Sequence, residues 1–403
     1  MNGSLTQRGK TSWRYSFDGE RHPDGTRNQI TGTVHAKDKK GAKAELRTII
    51  TEYEKGHFVE PSKQPLKDYL KWWLDAIEAS VSGKTHERYG EHIDNHIAPR
   101  LGDIVLQKLQ PLHVQEFYTH LLTEGRINGK GGLSPRSVKH THRVLKQALK
   151  QAVAWKLATS NPAEGVILPT VKNKKIKFLD RDELATLLHA VENRHRRNKG
   201  SALYPIILLA ATTGMRRGEL LGLHWSDVHL DAVDDDGLPS PYLEVTQTLE
   251  QTKKHGLRLK EPKSEAGRRK ISLPQITVAM LRQHQLDQSE LYLKFGIGRQ
   301  NGGLVLPVLD NDKGFTFRSP RALSKTFSDF IKNVDITQIT LHGLRHTHIT
   351  HLLMDNVPIK VVSERAGHSS VTITLDTYGH VLPDMQKSVA ELIDKRLQAA
   401  LAK

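Results

Sequence analysis

A chain of 403 residues is long for one hydrophobic core, so two or three domains are expected on size alone. Sixty Lys and Arg against 44 Asp and Glu give a formal net charge of +16, which points to a polyanionic partner. The lack of cysteine excludes disulfides, thiolate nucleophiles and Cys-ligated zinc. The opening "MNGSLTQRGKTSWRYSF" has no apolar signal core and no window approaches the roughly 18 apolar residues of a membrane span, so a soluble cytoplasmic protein is expected.

Trp13, Tyr15 and Phe17 alternate with Arg14 and Ser16, the period of a half-buried strand, and Ile30, Gly32 and Val34 repeat the pattern. "DGERHPDGT" supplies turn residues between them, and "AKDKKGAKAELRTIITEYEKG" reads as one helix. Residues 1–57 are therefore expected to form a small sheet on a helix, aromatic face inward. "FVEPSKQP" reads as a linker, and from Leu66 to about Leu157 the periodicity is helical, which makes 62–168 a second, helical domain.

The most informative stretch there is "SPRSVKHTHRVLKQALKQAVAWKL", with Ser134 as N-cap and Pro135 at the first helical position. On a helical wheel Arg136, Lys139, Arg143, Lys146 and Lys150 fall within an arc of roughly 80°, opposite Val138, Leu145, Leu149 and Ala152. A solvated charged face is the commoner use of such a stripe. Five cations without an interspersed acid favour a face turned to phosphates. Next, prolines and Lys172, Lys174, Lys175 and Lys177 break the helical period before Asp180 and Glu183 form a capping box. That basic linker could also lie along a phosphate backbone. Residues 175–403 make the third domain, mostly helical, interrupted by "PYLEVTQTLE" and "LRLKEPKSEAGRRKISLP", which alternate like strands around a turn at Glu265–Gly267. The chain thus reads as mainly α with small β-sheets.

Four places in this last domain concentrate charge where helix packing does not require it. Arg216 follows a Thr-Gly turn in "ATTGMRRGELLGL" at a helix start, where its planar fork and nearby N–H groups favour an anion, and Glu219 could orient it. Lys263 sits beside the turn of the strand pair; exposed lysines at such turns are common, so alone it says little. In "LHGLRHTHITHLL", His342 and Arg345 are three apart and share a helix face, so both could address one phosphate, while His346, His348 and His351 are expected to point elsewhere. A zinc site would need a third ligand beyond the i, i+4 pair His342 and His346, and "HIDNH" at 92–96 has the same spacing but lacks the glutamate of the metalloprotease pattern. In "ERAGHSSVTITLDTYGHV", His368 precedes Tyr378 by ten residues. A phenol with pKa of about 10 attacks at neutral pH only with cations or a base to assist it, and the groups just named could supply both.

In order, "TGMRRGEL", "HGLRHT", "AGHSS" and "TLDTYGH", with the lysine hairpin between the first two, resemble the tyrosine recombinases, most closely phage-type and conjugative-transposon integrases. The resemblance spans essentially the whole chain and implies an α+β fold in three parts. These are an arm-binding domain of three strands and a helix, a helical core-binding domain and a mixed, mostly helical catalytic domain. It implies a site-specific recombinase that integrates and excises a mobile element or prophage through a 3′-phosphotyrosyl link, with no cofactor or metal. Tyr378 is then similar to the nucleophile, Arg216 and Arg345 to the clamp on the non-bridging oxygens, and His342 to the histidine of proton transfer. His368 is similar to a phosphate hydrogen-bond donor, Glu219 to a supporting acid, and Lys263 to the acid for the leaving 5′-oxygen, with Lys260 and Lys270 as rivals on the same hairpin. The implied partners are double-stranded DNA at core-type and arm-type attachment sites, excision and DNA-bending factors, and three further copies of the chain on DNA, the free protein being a monomer near the bacterial nucleoid. The terminal "PDMQKSVAELIDKRLQAALAK" reads as an amphipathic helix with Val389, Leu392, Ile393 and Leu397 on one face, which in such enzymes docks on a neighbouring protomer. A DNA-binding regulator without chemistry is the alternative, disfavoured by the intact set of polar groups.

Overall fold

The computed structural model describes residues 3–21, 24–56, 58–171, 176–197, 202–262, 264–296, 303–310, 314–379 and 385–401. It divides into two compact units, 1–173 and 174–403.

In the first unit the alternating aromatic stretch is the middle strand of three. β1 (Gly3–Gln7), β2 (Ser12–Asp18) and β3 (Gln29–His35) run antiparallel in the order β1-β2-β3. The two-residue period turns Trp13, Tyr15, Phe17, Ile30 and Val34 to one face, where Ala42, Leu46 and Ile50 of α1 (Lys39–Glu54) close a small core. Asp38 caps that helix, its carboxylate accepting from the Gly41 amide at 2.7 Å. Strand β1 has one apolar residue in five, so alternation could not reveal it; pairing with β2 makes it a strand.

A second core in this unit is helical: α2 (Leu66–Ala76), α3 (Gly83–His92), α4 (Ala98–Leu101), α5 (Pro111–Glu124) and α6 (Pro135–Ala154). Ser134 caps α6 by accepting from the Ser137 amide at 3.1 Å. Val138, Leu145, Leu149 and Ala152 of α6 are fully buried, while Arg136, Arg143 and Lys150 are exposed and Lys139 and Lys146 half-buried. One helix therefore carries core on one side and cations on the other. The Tyr69 hydroxyl donates to the Ala148 carbonyl at 2.6 Å and ties α2 to α6 inside the core.

The second unit contains α7 (Arg181–Arg197), α8 (Leu203–Thr213), α9 (Arg217–Leu221), β4 (Val228–His229), β5 (Tyr242–Val245), β6 (Thr248–Thr252), β7 (Gly256–Lys260), β8 (Arg269–Ser272) and α10 (Gln275–Lys294). After these come β9 (Val308–Asp310), β10 (Gly314–Thr316), α11 (Pro320–Ile331), α12 (Leu341–Met354), α13 (Ile359–Ala366), α14 (Val371–Tyr378) and α15 (Met385–Leu401). Helix α8, "LYPIILLAATT", is apolar on every side because it is surrounded: Leu187, Leu281, Phe327 and Leu344 of α7, α10, α11 and α12 share its core.

The strands depart from the expected hairpin. β7 pairs with β6 and β8 pairs with β5, so β7 and β8 are not partners and residues 261–268 connect two different sheets. The short connection from Thr252 to Gly256 brings β6 and β7 together at little loop-closure cost, which explains the pairing. The turn itself is present, as a 3-10 turn at Glu265–Gly267. Strands β4, β9 and β10 have two or three residues, too few for alternation to register. On α15, Ile393, Leu397 and Leu401 are exposed; the side chains of Val389 and Leu392 lie outside the described set. Among the described residues no helix is long and apolar enough to cross a membrane.

The two faces of α6 predict opposite mutational behaviour. Leu149→Ala should cost about 2–5 kcal/mol in denaturant unfolding, and Arg143→Ala should stay within about 0.5 kcal/mol of the parent. Similar losses for both would contradict this assignment of faces.

Candidate active site

The site is built on the break between α8 and α9. α8 stops at Gly214, whose φ of +65° is left-handed, and a Cβ there would lie 2.6 Å from His348 Cδ2. The Gly214 carbonyl accepts from Arg345 Nη1 at 2.7 Å. Two residues on, Arg216 is extended and begins α9, and Glu219 folds back to accept from the Arg216 amide and from its Nη1, both at 2.8 Å. Arg216 Nη2 donates to the Gly367 carbonyl at 2.6 Å, which fixes the guanidinium from its other end.

Glu219 is only 4% exposed and is held by a second arginine that the motifs did not single out. Arg269 of β8 donates Nη2 to Glu219 Oε2 at 2.9 Å and Nε to the Arg365 carbonyl at 2.7 Å. Burial is the largest influence on the Glu219 carboxyl and pushes it up; Arg269 and Arg216 together outweigh burial and hold it below the usual carboxylate range. Strand alternation selects Arg269 from "GRRK": its side chain is 7% exposed, whereas that of Arg268 is 58% exposed. Gly367 is left-handed at φ +67°, and a Cβ on it would lie 2.7 Å from Arg269 Nη1. Arg365 extends the lattice to the Thr212 and Ser272 carbonyls at 3.0 and 3.2 Å and to His348 Nε2 at 3.1 Å. His348 Nε2 therefore accepts, which leaves the proton on Nδ1 to donate to the Ala211 carbonyl at 2.9 Å. Burial, then Arg365, pushes this imidazole down to about 4, so it is neutral at pH 7.

Helix α12 supplies the functional face. Arg345 is 3% exposed, and among the described residues its Nη2 has no hydrogen-bond partner. Burial, then Arg216, pushes its guanidinium down to about 10, which leaves it cationic at neutral pH. A buried cation with an unpartnered donor favours an anion beside it. Tyr378, at the end of α14, is 2% exposed; burial pushes its phenol up to about 12 against the opposing pull of Arg345. His342 is exposed and lines a hollow of about 470 Å³ with Arg217, Ser324, Ser328 and Thr340. Surrounding protein, then His346 and Arg345, push its imidazole down, with solvent at its open edge screening part of the effect. His368 Nδ1 lies 2.7 Å from Thr374 Oγ1, and burial, then Arg345 and Arg216, pushes its imidazole down to about 4.

One expectation is corrected. His346 does not point away: its Nδ1 lies 2.6 Å from the Tyr378 hydroxyl, and its ring packs edge-on against His342 with centroids 4.9 Å apart. Helical spacing fixes which side of α12 His346 occupies; the return of the chain through α14 puts a tyrosine there, which spacing within one helix cannot anticipate. His348 and His351 do turn elsewhere, to the Ala211 and Leu179 carbonyls. Lys263, Lys172, Lys174 and Lys175 lie outside the described residues, and Lys177 is exposed. Of the rival lysines, Lys260 lies on β7 with Nζ 3.9 Å from Glu250, and Lys270 lies on β8, 3.5 Å from Glu244 and over the Tyr242 ring. They do not share a hairpin. Among the described residues no three His, Asp or Glu side chains are grouped to hold a metal ion.

The arrangement is a cluster of one phenol, two guanidinium groups and three imidazoles, suited to an oxyanion such as a phosphodiester. Comparison with known proteins agrees in kind. Residues 66–122 match the phage integrase N-terminal SAM-like domain and residues 317–385 the phage integrase family. The chain is 26% identical over 389 residues to a "Tyrosine recombinase XerC-like" protein of Caldanaerobacter subterraneus subsp. tengcongensis, covering 91% of this chain and 92% of the relative. Its fold resembles that of a Tn1549 transposon integrase in complex with a circular intermediate DNA, with TM-score 0.61, 19% identity, and 82% and 99% of the two chains covered. It also resembles a lambda integrase tetramer bound to a Holliday junction, with TM-score 0.52, 19% identity and coverage of 91% and 96%.

Replacing Glu219 by Gln should lower stability by about 3–5 kcal/mol at pH 7, because Arg269 would stay buried beside a neutral amide. As its folded pKa lies below the unfolded value, the carboxylate's contribution is present above about pH 4.3 and is lost as pH falls further. Chemical unfolding of Glu219→Gln beside Arg268→Ala checks this; equal stability of the two variants would refute it.

Proposed function

We infer that the chain belongs to the tyrosine recombinases of the phage-integrase type and is a site-specific DNA recombinase that cuts and rejoins strands through a covalent protein–DNA link. Its partner is DNA, in keeping with the +16 net charge and with relatives of this kind. The observation that carries the chemistry is the buried Arg345 with one donor unused, beside a tyrosine hydroxyl already held by an imidazole.

In this reading Tyr378 Oη attacks the phosphorus of a phosphodiester. A P–Oη bond forms, the P–O5′ bond breaks, and the 5′-oxygen leaves as a hydroxyl. The phosphodiester is conserved as a 3′-phosphotyrosine, so a 5′-hydroxyl of another strand can reverse the step without an energy source. Arg345 Nη2 and the Arg216 guanidinium receive the charge that develops on the non-bridging oxygens. His342 and His368 face the same oxyanion, and both are held neutral, each with an N–H to donate and no added charge. Glu219 orients Arg216 without touching the substrate. Lys263 is the proposed acid for the leaving oxygen.

The exposed cations of α6, together with Lys139, Lys146 and Lys177, are proposed to lie against phosphates, and the small sheet of residues 1–57 to contact a separate arm-type site. Four protomers are proposed to act together on DNA, with the exposed Ile393, Leu397 and Leu401 stripe of α15 seated on a neighbour. Integration and excision of a mobile element or prophage is the biological setting, with excision and DNA-bending factors as further partners.

Covalent trapping tests the chemistry. A binding duplex selected from a random-sequence library, nicked near its centre and incubated in EDTA, should give a denaturation-resistant adduct with the protein that Tyr378→Phe abolishes. Binding without any adduct would overturn the reading. For the DNA face, replacing Arg136, Arg143 and Lys150 together by Ala should reduce the slope of log affinity against log salt by about 3, with little change in which sequences are bound. An unchanged slope would remove α6 from the interface.

A further inference from the structure

We propose that His346, rather than His342, accepts the proton of Tyr378 as the phosphodiester is attacked. This rests on the recombinase reading above and assigns a role that the resemblance gives to a different histidine.

The geometry singles out one base. The Tyr378 hydroxyl is a buried polar group whose hydrogen bond among the described residues goes to His346 Nδ1, at 2.6 Å. A phenol must direct its proton somewhere, and among the described residues this hydroxyl makes no other hydrogen bond, so the O–H points at the imidazole lone pair. His346 is then the Nε2–H tautomer, with the ring edge packed against His342 and tilted against the tyrosine at a centroid distance of 5.6 Å. His342 stands one turn earlier on the same helix and opens to the hollow beside Thr340, on the side open to substrate. The two histidines therefore divide the work by position: His346 at the nucleophile, His342 at the substrate.

The electrostatics fit a base that acts only in the presence of substrate. Groups facing the ring are Arg345 and His342 on its own helix, Tyr378 on α14, and His368 beyond the end of α13. Burial, then Arg345, pushes the His346 imidazole down, so it is neutral and able to accept across the physiological range. The phenol lies at about 12, so in the free protein the proton stays on oxygen. Attack changes this balance. As the P–Oη bond forms, the tyrosine oxygen loses its basicity and the added negative charge on phosphorus oxygens offsets the new imidazolium beside Arg345. The proton moves from Oη to Nδ1 in that step and returns to Oη when the link is resolved by a 5′-hydroxyl.

Variants separate a base from a mere hydrogen-bond partner. His346→Asn keeps an acceptor oxygen near the Nδ1 position but cannot hold the proton; His346→Ala removes both. With the nicked selected duplex in EDTA, both variants should bind DNA like the parent yet form the adduct about 10²–10⁴-fold more slowly. In both, the rate should rise close to tenfold per pH unit between pH 7 and 9, as hydroxide replaces the missing base, while the parent stays nearly flat. A nearly normal rate in His346→Asn, or slow variants with no pH dependence, would show that His346 only positions the phenol and would overturn the proposal. If the parent itself forms no adduct, the recombinase reading fails first and this inference falls with it; a parent that reacts beside an unimpaired Asn variant defeats the inference alone.

Discussion

The carboxylate of Glu219, buried between Arg216 and Arg269, is the constraint around which the catalytic unit is organised. An isolated carboxylate at 4% exposure would be neutral or unstable there, and an isolated buried arginine equally so. Together they form a rigid joint. Through Arg216 the joint reaches the Gly367 carbonyl, and through Arg269 it reaches the Arg365 carbonyl, so the end of α8, strand β8 and the end of α13 are tied at one point. Arg365 and His348 carry the ties on to α12. The cost of burying so much charge is met by saturating most donors, and among the described residues Arg345 Nη2, Arg318 Nε and Thr350 Oγ1 are the buried side-chain atoms left without a partner. Of these, Arg345 Nη2 is the one that belongs to a cation lying beside Arg216 and Tyr378.

Burial and positive charge act on Tyr378 in opposite directions. Burial makes Tyr378 a weaker acid than a free phenol, although Arg345 works in the other direction. The resting protein therefore keeps the Tyr378 phenol protonated and buried. Neutral imidazoles line the site instead of imidazolium ions, because burial first, and then Arg345 and Arg216, disfavour a further cation. A site of this composition suits an oxyanion, and the Tyr378 hydroxyl already lies 2.6 Å from His346 Nδ1.

The first unit divides the same two resources, apolar area and positive charge, between faces. Helix α6 buries Val138, Leu145, Leu149 and Ala152 while presenting Arg136, Arg143 and Lys150 to solvent. The charged face contributes little to stability, so it is free to be shaped by a partner; the apolar face determines whether the helix holds its position at all. The small sheet follows the same rule with a period of two, its aromatic side chains inward and Arg14, Thr31 and Thr33 outward.

Residue spacing by itself determined the amphipathic faces of α6 and β2, the N-cap at Ser134, the capping-box acid at Glu183 and the placing of Arg216, Glu219 and Arg345 at helix positions suited to an anion. Those features depend on neighbours within one turn or one strand, where periods of 3.6 and 2 apply. The tertiary structure alone decided what meets across the chain. It paired β7 with β6 and not with β8, made a strand of residues 3–7, drew Arg269 from 50 residues away onto Glu219, and set the Tyr378 hydroxyl on His346 across 32 residues. Such contacts are fixed by which buried polar groups must be satisfied once the core has closed, and no local pattern of residues records that requirement.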